Sequence, residues 1–574
     1  MKHRFLTKAL AFAVCLAMIA GAVFAAPWYL EDGSITVDTS TGKQMVSQGG
    51  GAATEDGEAV ITQRAPGTET SNTVTITGDG EANVTIQDVN INTGDASGID
   101  IQGNTTANIT AEGDNIIKSN SGDAAVHVGS GDLNLNTTEG SKVTASVDNS
   151  GTTASNTGAG IGSNKGEDMS GSINLSGKGS VDASSKNGAG IGSGKDGNLS
   201  GTITTGEGSV TASSGKDGAG IGSGYLGEMC GTITTGSGDV TASASDGAGI
   251  GSGWGGEMSG TITTGSGNVT ASSSKWGAGI GAGNYGDMTG TITTGTGTVT
   301  ASTGTMDPVT GEYTDYTNPG GVTYPMGLGA AIGSGAFHNM SGTVTIGPGK
   351  VILNTNRGAG IGVGVINSNM NSIPQMSGTV NIQKGADLTI DSRVGNQIGI
   401  GAPMIIGSIE YPGYGAVTSE ARLNVEPGSI LQGKNIQSLQ DIHGLELGIP
   451  DSQVVLVNVP SDKVPGAVAS DALTLTEWPT YWVLSGGSAM ECEEALENGV
   501  LTITAEAEEA QLHITGFGLQ QLQSQGIQTV VFRTASQESR FEIAAVLGCS
   551  QLVLSHEGSK AELTLDGEAS DLLK

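Results

Sequence analysis

The sequence predicts an all-β chain whose middle is a three-sided parallel β-helix, that is, a β-solenoid with coils of about 30 residues. Three observations lead to this fold class. A short motif recurs at a fixed period, each period contains three short segments of alternating pattern, and 97 of the 574 residues are glycine. A small β-rich or α+β domain is expected at the C-terminus.

The motif Gly-Ala-Gly-Ile-Gly sets the period. Its isoleucine recurs every 29 or 30 residues, at Ile161, Ile191, Ile221, Ile250 and Ile280. Degenerate copies follow at Ile332, Ile361 and Ile400, and the larger gaps between them are one period plus an insertion, such as Thr303 to Met326. We therefore expect one period to form one coil.

Three alternating segments recur within each period. In one coil they are 247–251, 260–264 and 268–272, each bounded by glycine or serine. Alternation places Ile250, Ile262 and Val269, with Ala248 and Ala271, on the inner side, and the threonines and serines on the outer side. Stacking the coils would bury the inner side as one apolar column.

One apolar residue per coil, usually methionine, precedes the second segment. This row consists of Met169, Leu199, Met229, Met258, Met288, Met340 and Met376. Methionine fills irregular space well, so the row is expected to pack into the core at a corner of the coil.

The chain divides into three parts by composition. Residues 1–25 are expected to be a secretory signal peptide, because a basic start is followed by an uncharged apolar run and then by Val23-Phe24-Ala25. Residues 26–445 are expected to form the solenoid, with the regular coils at about 155–402. Residues 446–574 lack the glycine repeat and are expected to form the C-terminal acidic domain.

The charge balance limits the partners. The formal net charge of −33 becomes −36 when Lys2, Arg4 and Lys8 leave with the signal peptide. Such a charge disfavours binding to nucleic acid and to anionic lipid. No membrane insertion is expected after signal cleavage. An extracellular glycan or a host or cell-surface component remains as the expected partner. Calcium is the one cofactor that the acidic sequence leaves open.

Several segments resemble a known class of proteins. They are Gly-Ala-Gly-Ile-Gly-Ser, Met-Ser-Gly-Thr-Ile-Thr and residues 109–117. These resemble glycine-rich secreted parallel β-helix (pectin-lyase-like) proteins of Gram-positive anaerobic bacteria, which are carbohydrate-binding or adhesin-like surface proteins. The resemblance covers roughly residues 70 to 400. It implies a right-handed helix and an extracellular location, and it does not determine an activity.

Aromatic residues form the candidate carbohydrate-binding site. Tyr225, Trp254, Tyr285 and Phe337 occupy nearly equivalent places in the loops after successive Gly-Ala-Gly-Ile segments, and are expected to line one exposed edge. Rings beside polar groups suit a sugar chain. The alternative is that the rings cover the methionine corner.

A polar row runs beside these rings. It contains Glu228, Glu257 and Asp287, and Asp168 falls in the same register. Stacked carboxylates repel each other, which either raises their pKa values or recruits a cation such as calcium. The alternative is a row of solvated charges.

The sequence shows no recognisable enzyme. The fingerprint-like segment 222–227 lies inside a β repeat without a following helix. After the signal peptide, His127, His338, His443, His513 and His556 are scattered without metal-ligand spacing and are expected to be incidental. A polysaccharide lyase or hydrolase is disfavoured because Arg357, Arg393 and Arg422 are isolated.

Together these observations predict a secreted or cell-surface solenoid scaffold that is adhesin-like and binds polysaccharide weakly at many sites. The rival is a purely structural extracellular stalk without a ligand.

Overall fold

The computed structural model describes three parts of the chain. Residues 26–400 are described except 121, 149–156, 306–312, 318–322, 366–373, 384–385 and 393–397; short strands are described between 401 and 480; and 481–573 are described except 487, 491, 516–518, 520–521, 524, 548, 550 and 566–567. The predicted signal peptide (1–25), Arg393 and His443 lie outside the described residues.

Three long sheets of stacked strands form a parallel β-helix, as predicted. We name two sheets, the isoleucine side and the valine side, after an inward residue of their strands. We name the third, the threonine side, after the outward threonines of its Thr-Ile-Thr segments. Each coil contributes one strand to each side, in that order along the chain. The hand of the helix stays a prediction.

The isoleucine side has 14 strands, of which the two nearest the N-terminal edge, 45–48 and 54–55, are antiparallel. Its strands are Ile35–Asp38, Met45–Gln48, Thr54–Glu55, Val74–Thr77, Ile99–Ile101, Val126–Val128, Ile161–Gly162, Ile191–Gly192, Ile221–Gly222, Ile250–Gly251, Ile280–Gly281, Ile332–Gly333, Ile361–Val363 and Ile398–Ile400.

The threonine side has 14 strands, all paired in parallel. They are Trp28–Tyr29, Ala59–Thr62, Glu81–Gln87, Thr106–Glu112, Asp132–Thr137, Ser172–Gly177, Thr202–Thr205, Thr232–Thr234, Thr261–Thr263, Thr291–Thr293, Thr343–Ile346, Thr379–Ile382, Arg422–Val425 and Glu446–Leu447.

The valine side has 13 strands. They are Asn90–Asn92, Asp114–Ser119, Lys142–Val147, Ser180–Ser185, Ser209–Ser214, Val240–Ala244, Val269–Ser273, Val299–Thr303, Lys350–Thr355, Asp387–Ser392, Ser429–Gly433, Val455–Asn458 and Leu473–Glu477. The last of these lies antiparallel between 387–392 and 429–433, and so interrupts the parallel stack.

The inward residues of all three sides form one continuous apolar core from Leu30 to Ile398. Ile250, Ile262 and Val269 belong to it and are essentially inaccessible to solvent. The methionine row is buried and its members pair from coil to coil, which confirms their predicted packing into the core.

The isoleucine side differs from the flat strand that alternation suggested. The N–H of Ala248 donates to the carbonyl of Ser252 at 3.0 Å, which folds this segment into a tight bend with only Ile250 and Gly251 paired as strand. Ala248 is consequently buried outside the continuous core that contains Ile250. Glycines on both sides of the isoleucine allow this bend.

The insertion leaves the coil register intact. Ile280 pairs with Ile332 and Met288 with Met340, although the inserted residues stand between them in sequence. Within the insertion, Tyr316–Thr317 and Thr323–Tyr324 pair as a short antiparallel ribbon. A second two-stranded ribbon pairs Ile405–Ile406 with Ile409–Glu410.

The C-terminal part forms two mixed or antiparallel sheets around their own apolar core, which includes Phe532 and Phe541. The six-stranded sheet contains Trp482–Ser485, Ser488–Met490, Ala510–Thr515, Gln551–Glu557, Lys560–Leu565 and Glu568–Ser570. The four-stranded sheet contains Glu493–Glu497, Val500–Thr504, Thr529–Arg533 and Glu538–Glu542, followed by the helix Ile543–Val546. The 3₁₀ turn Leu30–Asp32 lies at the other end of the chain.

Candidate functional site: the aromatic rim

The loop after each Ile-Gly strand is fixed by a repeated backbone hydrogen bond. The N–H of Tyr225 donates to the carbonyl of Asn187 at 2.9 Å, and the N–H of Trp254 donates to that of Asp217 at 2.7 Å. We call these loops the rim; they are residues 194–198, 224–228, 253–257, 283–287 and 335–339. The rim therefore repeats once per coil on a hydrogen-bonded backbone.

The four aromatic rings of the rim lie in line over successive coils. The ring centroids of Tyr225 and Trp254 are 5.1 Å apart with nearly parallel planes, at 13°. Trp254 meets Tyr285 edge-on at 5.4 Å, and Tyr285 meets Phe337 at 5.6 Å. The insertion between Tyr285 and Phe337 does not break the line.

The four residues do not share one position in the coil, however. Tyr225 and Trp254 lie four residues before the corner methionine, whereas Tyr285 and Phe337 lie three before it. The second position has a left-handed backbone, with φ of 60° at Tyr285, 70° at Phe337 and 59° at Leu226. Bulky residues seldom adopt this conformation, so the rim stores backbone strain.

Three of the rings are partly covered by their neighbours. Tyr225, Trp254 and Tyr285 are half-buried. The faces of Tyr225 and Trp254 lie against each other, and Lys195 Nζ lies 5.0 Å from the centroid of the Tyr225 ring. Sugar stacking needs an open ring face, and the faces that Tyr225 and Trp254 turn towards each other are closed to a sugar.

Phe337 corrects the expectation of an exposed edge at every coil. Its side chain is only 5% exposed and packs with Leu328, Ala336 and Val365 in a small apolar cluster. Trp276 covers it further, with ring centroids 6.2 Å apart. Phe337 therefore belongs to the packing of the rim.

The polar row beside the rings forms hydrogen bonds between coils. Asp287 Oδ1 accepts the N–H of Asn339 at 2.9 Å, and Asp168 Oδ1 accepts the N–H of Asn198 at 2.8 Å. His338 Nδ1 also lies 2.9 Å from Asp287 Oδ1, and this hydrogen bond is the main reason that the pKa of Asp287 is lowered.

The two glutamates of that row differ from the aspartates. Glu228 is exposed, while Glu257 is half-buried and accepts a hydrogen bond from Thr289 Oγ1 at 2.7 Å. In the described part of the chain, no group of three or more His, Cys, Asp or Glu side chains could hold a metal ion.

A charged cluster that the sequence analysis missed lies on the isoleucine side. His127 Nδ1 lies 2.6 Å from Asp100 Oδ1, and His127 Nε2 lies 2.9 Å from Glu167 Oε2. Burial lowers the pKa of His127, but the hydrogen bonds to the two carboxylates outweigh it and raise the pKa to about 9. The signal was present in the sequence, since Ile-Asp-Ile and Val-His-Val occupy equivalent strands 27 residues apart.

Comparison of the chain with protein-family models, curated proteins and solved structures found no match in any of the three. Among the described residues, no helix is both long enough and apolar enough to cross a membrane.

Proposed function

We propose that the protein is a secreted or cell-surface scaffold, adhesin-like, whose solenoid carries weak glycan-contacting sites along the rim. The observation that carries the proposal is the line of Tyr225, Trp254 and Tyr285, which repeats a similar loop at coil spacing on a hydrogen-bonded backbone. Aromatic side chains next to carboxylates and amides are typical of sugar-binding surfaces.

Multivalency makes such a surface useful although each contact is weak. Binding of one sugar unit raises the effective concentration of the next unit at the neighbouring coil. The net charge of −33 favours a neutral glycan, because an acidic one would be repelled. The proposal contains no catalytic step.

A purely structural stalk is the second candidate. It is favoured by the packing of the Tyr225 and Trp254 ring faces against each other and by the burial of Phe337. In this case the rim stabilises the stack, and the solenoid only separates whatever lies at its two ends.

A glycan array separates the two candidates. The chain 26–574 is applied with and without calcium, beside the triple variant Tyr225→Ala, Trp254→Ala and Tyr285→Ala. The matched control replaces Thr211, Thr241 and Thr270 by alanine; these residues are in register on the outside of the valine side. We expect the rim variant to lose nearly all binding and the control to retain it.

The melting temperatures of both triple variants are measured in parallel, so that loss of binding is distinguished from unfolding. A rim variant that melts early and still binds glycan would favour the stalk. Absence of glycan binding by the unmodified chain would eliminate the adhesin-like function.

A further inference from the structure

One rim side chain is buried without a hydrogen-bonding partner. Asn284 is fully buried, and among the described residues neither its amide nitrogen nor its amide oxygen has a partner. Its backbone is well anchored, since its N–H donates to the carbonyl of Asp246 at 3.0 Å and its carbonyl accepts from Gly255 at 2.7 Å. An unpaired buried amide destabilises the fold. The presence of Asn284 at this position therefore calls for a reason other than folding stability.

Asn284 follows Trp254 at the same position of the next coil, four residues before the corner methionine. Because a short amide replaces a ring there, Trp254 has no parallel ring on this side. Tyr285 fills the space instead, with its centroid 5.4 Å from that of Trp254 and its plane at 62°. Tyr285 is thus the ring of this coil that contacts Trp254, and the contact is edge-on.

The backbone of Tyr285 is strained. Its φ of 60° lies in the left-handed region, whereas the preceding coil has Gly255 at this position with φ 74°. The Tyr285 side chain is half-buried and packs against the small apolar cluster around Phe337, so its displacement would uncover that cluster but not the continuous core of the solenoid. Strained residues are concentrated at active sites, ligand clamps and switch regions.

We propose that Tyr285 covers a sugar site formed by the ring face of Trp254 and the amide of Asn284, and that this site takes an N-acetylated sugar unit. The primary amide offers a donor and an acceptor, and the N-acetyl group of a sugar offers the matching acceptor and donor. The pyranose ring stacks on Trp254, and the acetyl methyl lies against the apolar cluster that includes Ala336. This inference rests on the proposed glycan-binding function and names its ligand class.

Three single variants of the whole mature chain test the site. Asn284→Leu keeps the branched shape of the side chain and removes the amide. Tyr285→Gly removes the cover and restores the residue type of the preceding coil. Asn268→Leu is the matched control at an exposed asparagine. Binding of chitohexaose and of cellohexaose, which lacks the N-acetyl group, is measured by calorimetry, together with binding of soluble glycan strands of bacterial cell wall.

We expect Asn284→Leu to weaken chitohexaose binding about tenfold or more, without lowering the melting temperature. Tyr285→Gly should strengthen chitohexaose binding several-fold. Without the tyrosine ring every molecule has an open site, whereas in the unmodified chain only the minor population with Tyr285 displaced can bind. Asn268→Leu should bind as the unmodified chain does. Cellohexaose should bind about tenfold more weakly, and this preference should vanish in Asn284→Leu.

The inference is overturned if Asn284→Leu leaves chitohexaose binding unchanged or if Tyr285→Gly abolishes it. If the unmodified chain binds other glycans and only the rim triple variant loses them, the proposed function stands without this site. The two N-acetylated probes separate chitin from cell-wall glycan as the natural source. If no glycan binds the unmodified chain, both proposals fail.

Discussion

The glycine that follows each repeat isoleucine is required by its backbone. Gly222 has φ 140°, and a Cβ atom there would lie 1.7 Å from the carbonyl oxygen of Gly251 in the next coil. The backbone of the stack itself occupies the space, so no side-chain rearrangement can relieve the contact.

We therefore expect Gly222→Ala to destabilise the solenoid by several kcal/mol, roughly 3 or more, because backbone strain and overlap add. Thermal unfolding followed by circular dichroism measures this. Gly57→Ala is the matched control, since Gly57 is exposed and a Cβ there would have no neighbour within 4 Å. Equal melting temperatures for the two variants would contradict the assigned stacking.

His127 makes the stability depend on pH. Its pKa is raised from 6.5 to about 9 in the fold, so the protonated form contributes stability that is complete below pH 6.5 and is lost as the pH rises through 9. A rise of this size corresponds to about 3.4 kcal/mol. The contribution to stability is smaller, about 2–3 kcal/mol, because solvent screens the Glu167 side chain, which is 42% exposed.

We expect His127→Asn to melt at a lower temperature than the unmodified chain at pH 6, and at nearly the same temperature at pH 10. The difference between the two proteins is the quantity measured, because other groups also titrate in this range. A difference that does not change with pH would show that the cluster of Asp100, His127 and Glu167 acts by packing alone.

At the scale of elements, buried serines bind each rim loop to its own coil and to the next one. Ser223 Oγ donates to the carbonyl of Gly227 at 2.6 Å and accepts the N–H of Gly253 at 3.1 Å. Ser193 and Ser252 make equivalent pairs of bonds. One coil has Ala282 at this position instead.

Ser223→Ala should destabilise the stack by about 2 kcal/mol, because it leaves a buried carbonyl and a buried N–H without their partner. The reverse change, Ala282→Ser, should stabilise it by about 1 kcal/mol. Ser237→Ala, at an exposed turn, serves as control and should have no effect. The midpoints of urea unfolding measure these differences. The decisive result is a lower midpoint for Ser223→Ala together with a higher midpoint for Ala282→Ser.

The elements also show what the sequence could predict. Period and alternation sufficed for the stacked sides, for the core residue Ile250 and for the buried methionine row. They did not distinguish a strand from the bend around Ile250, because both place alternate residues inward and differ only in the hydrogen bond between Ala248 and Ser252. The rim rings were predicted to align, but periodicity could not show that Tyr285 takes a left-handed backbone.

At the scale of the molecule, strand pairing towards the two ends of the stack differs from that in its middle, because antiparallel strands enter there. At the N-terminal edge, Ile35–Asp38 pairs with the antiparallel strand Met45–Gln48, and the buried Leu30 lies at the start of the core. Towards the other end, the antiparallel strand Leu473–Glu477 enters the valine side. The antiparallel strand at the N-terminal edge hinders further coils from pairing there, whereas Leu473–Glu477 lies between two other strands of the valine side and not at its edge.

The last prediction concerns the insertion between two otherwise ordinary coils. The preceding coil runs from the end of its valine-side strand to the isoleucine side through Ser273, Ser274, Lys275, Trp276 and Gly277. Deleting residues 305–326 would leave a connection of the same length, five residues, made of Thr303, Gly304, Gly327, Leu328 and Gly329. A Cβ on Gly304 would lie 2.9 Å from Gly327 Cα, so the two ends of the deletion are already adjacent.

We expect this deletion to change the melting temperature by only a few degrees, because we predict the insertion to be a surface loop, which adds little to the stack and whose removal shortens the connection. The N–H of Gly304 already donates to the carbonyl of Ser273, and that of Leu328 to Lys275, so the shortened coil keeps its bonds to the coil before it. Deleting residues 327–330 instead removes Leu328 from the buried cluster and should unfold the neighbouring coils. If the longer deletion proves as damaging as the shorter one, the inserted residues belong to the fold of the stack.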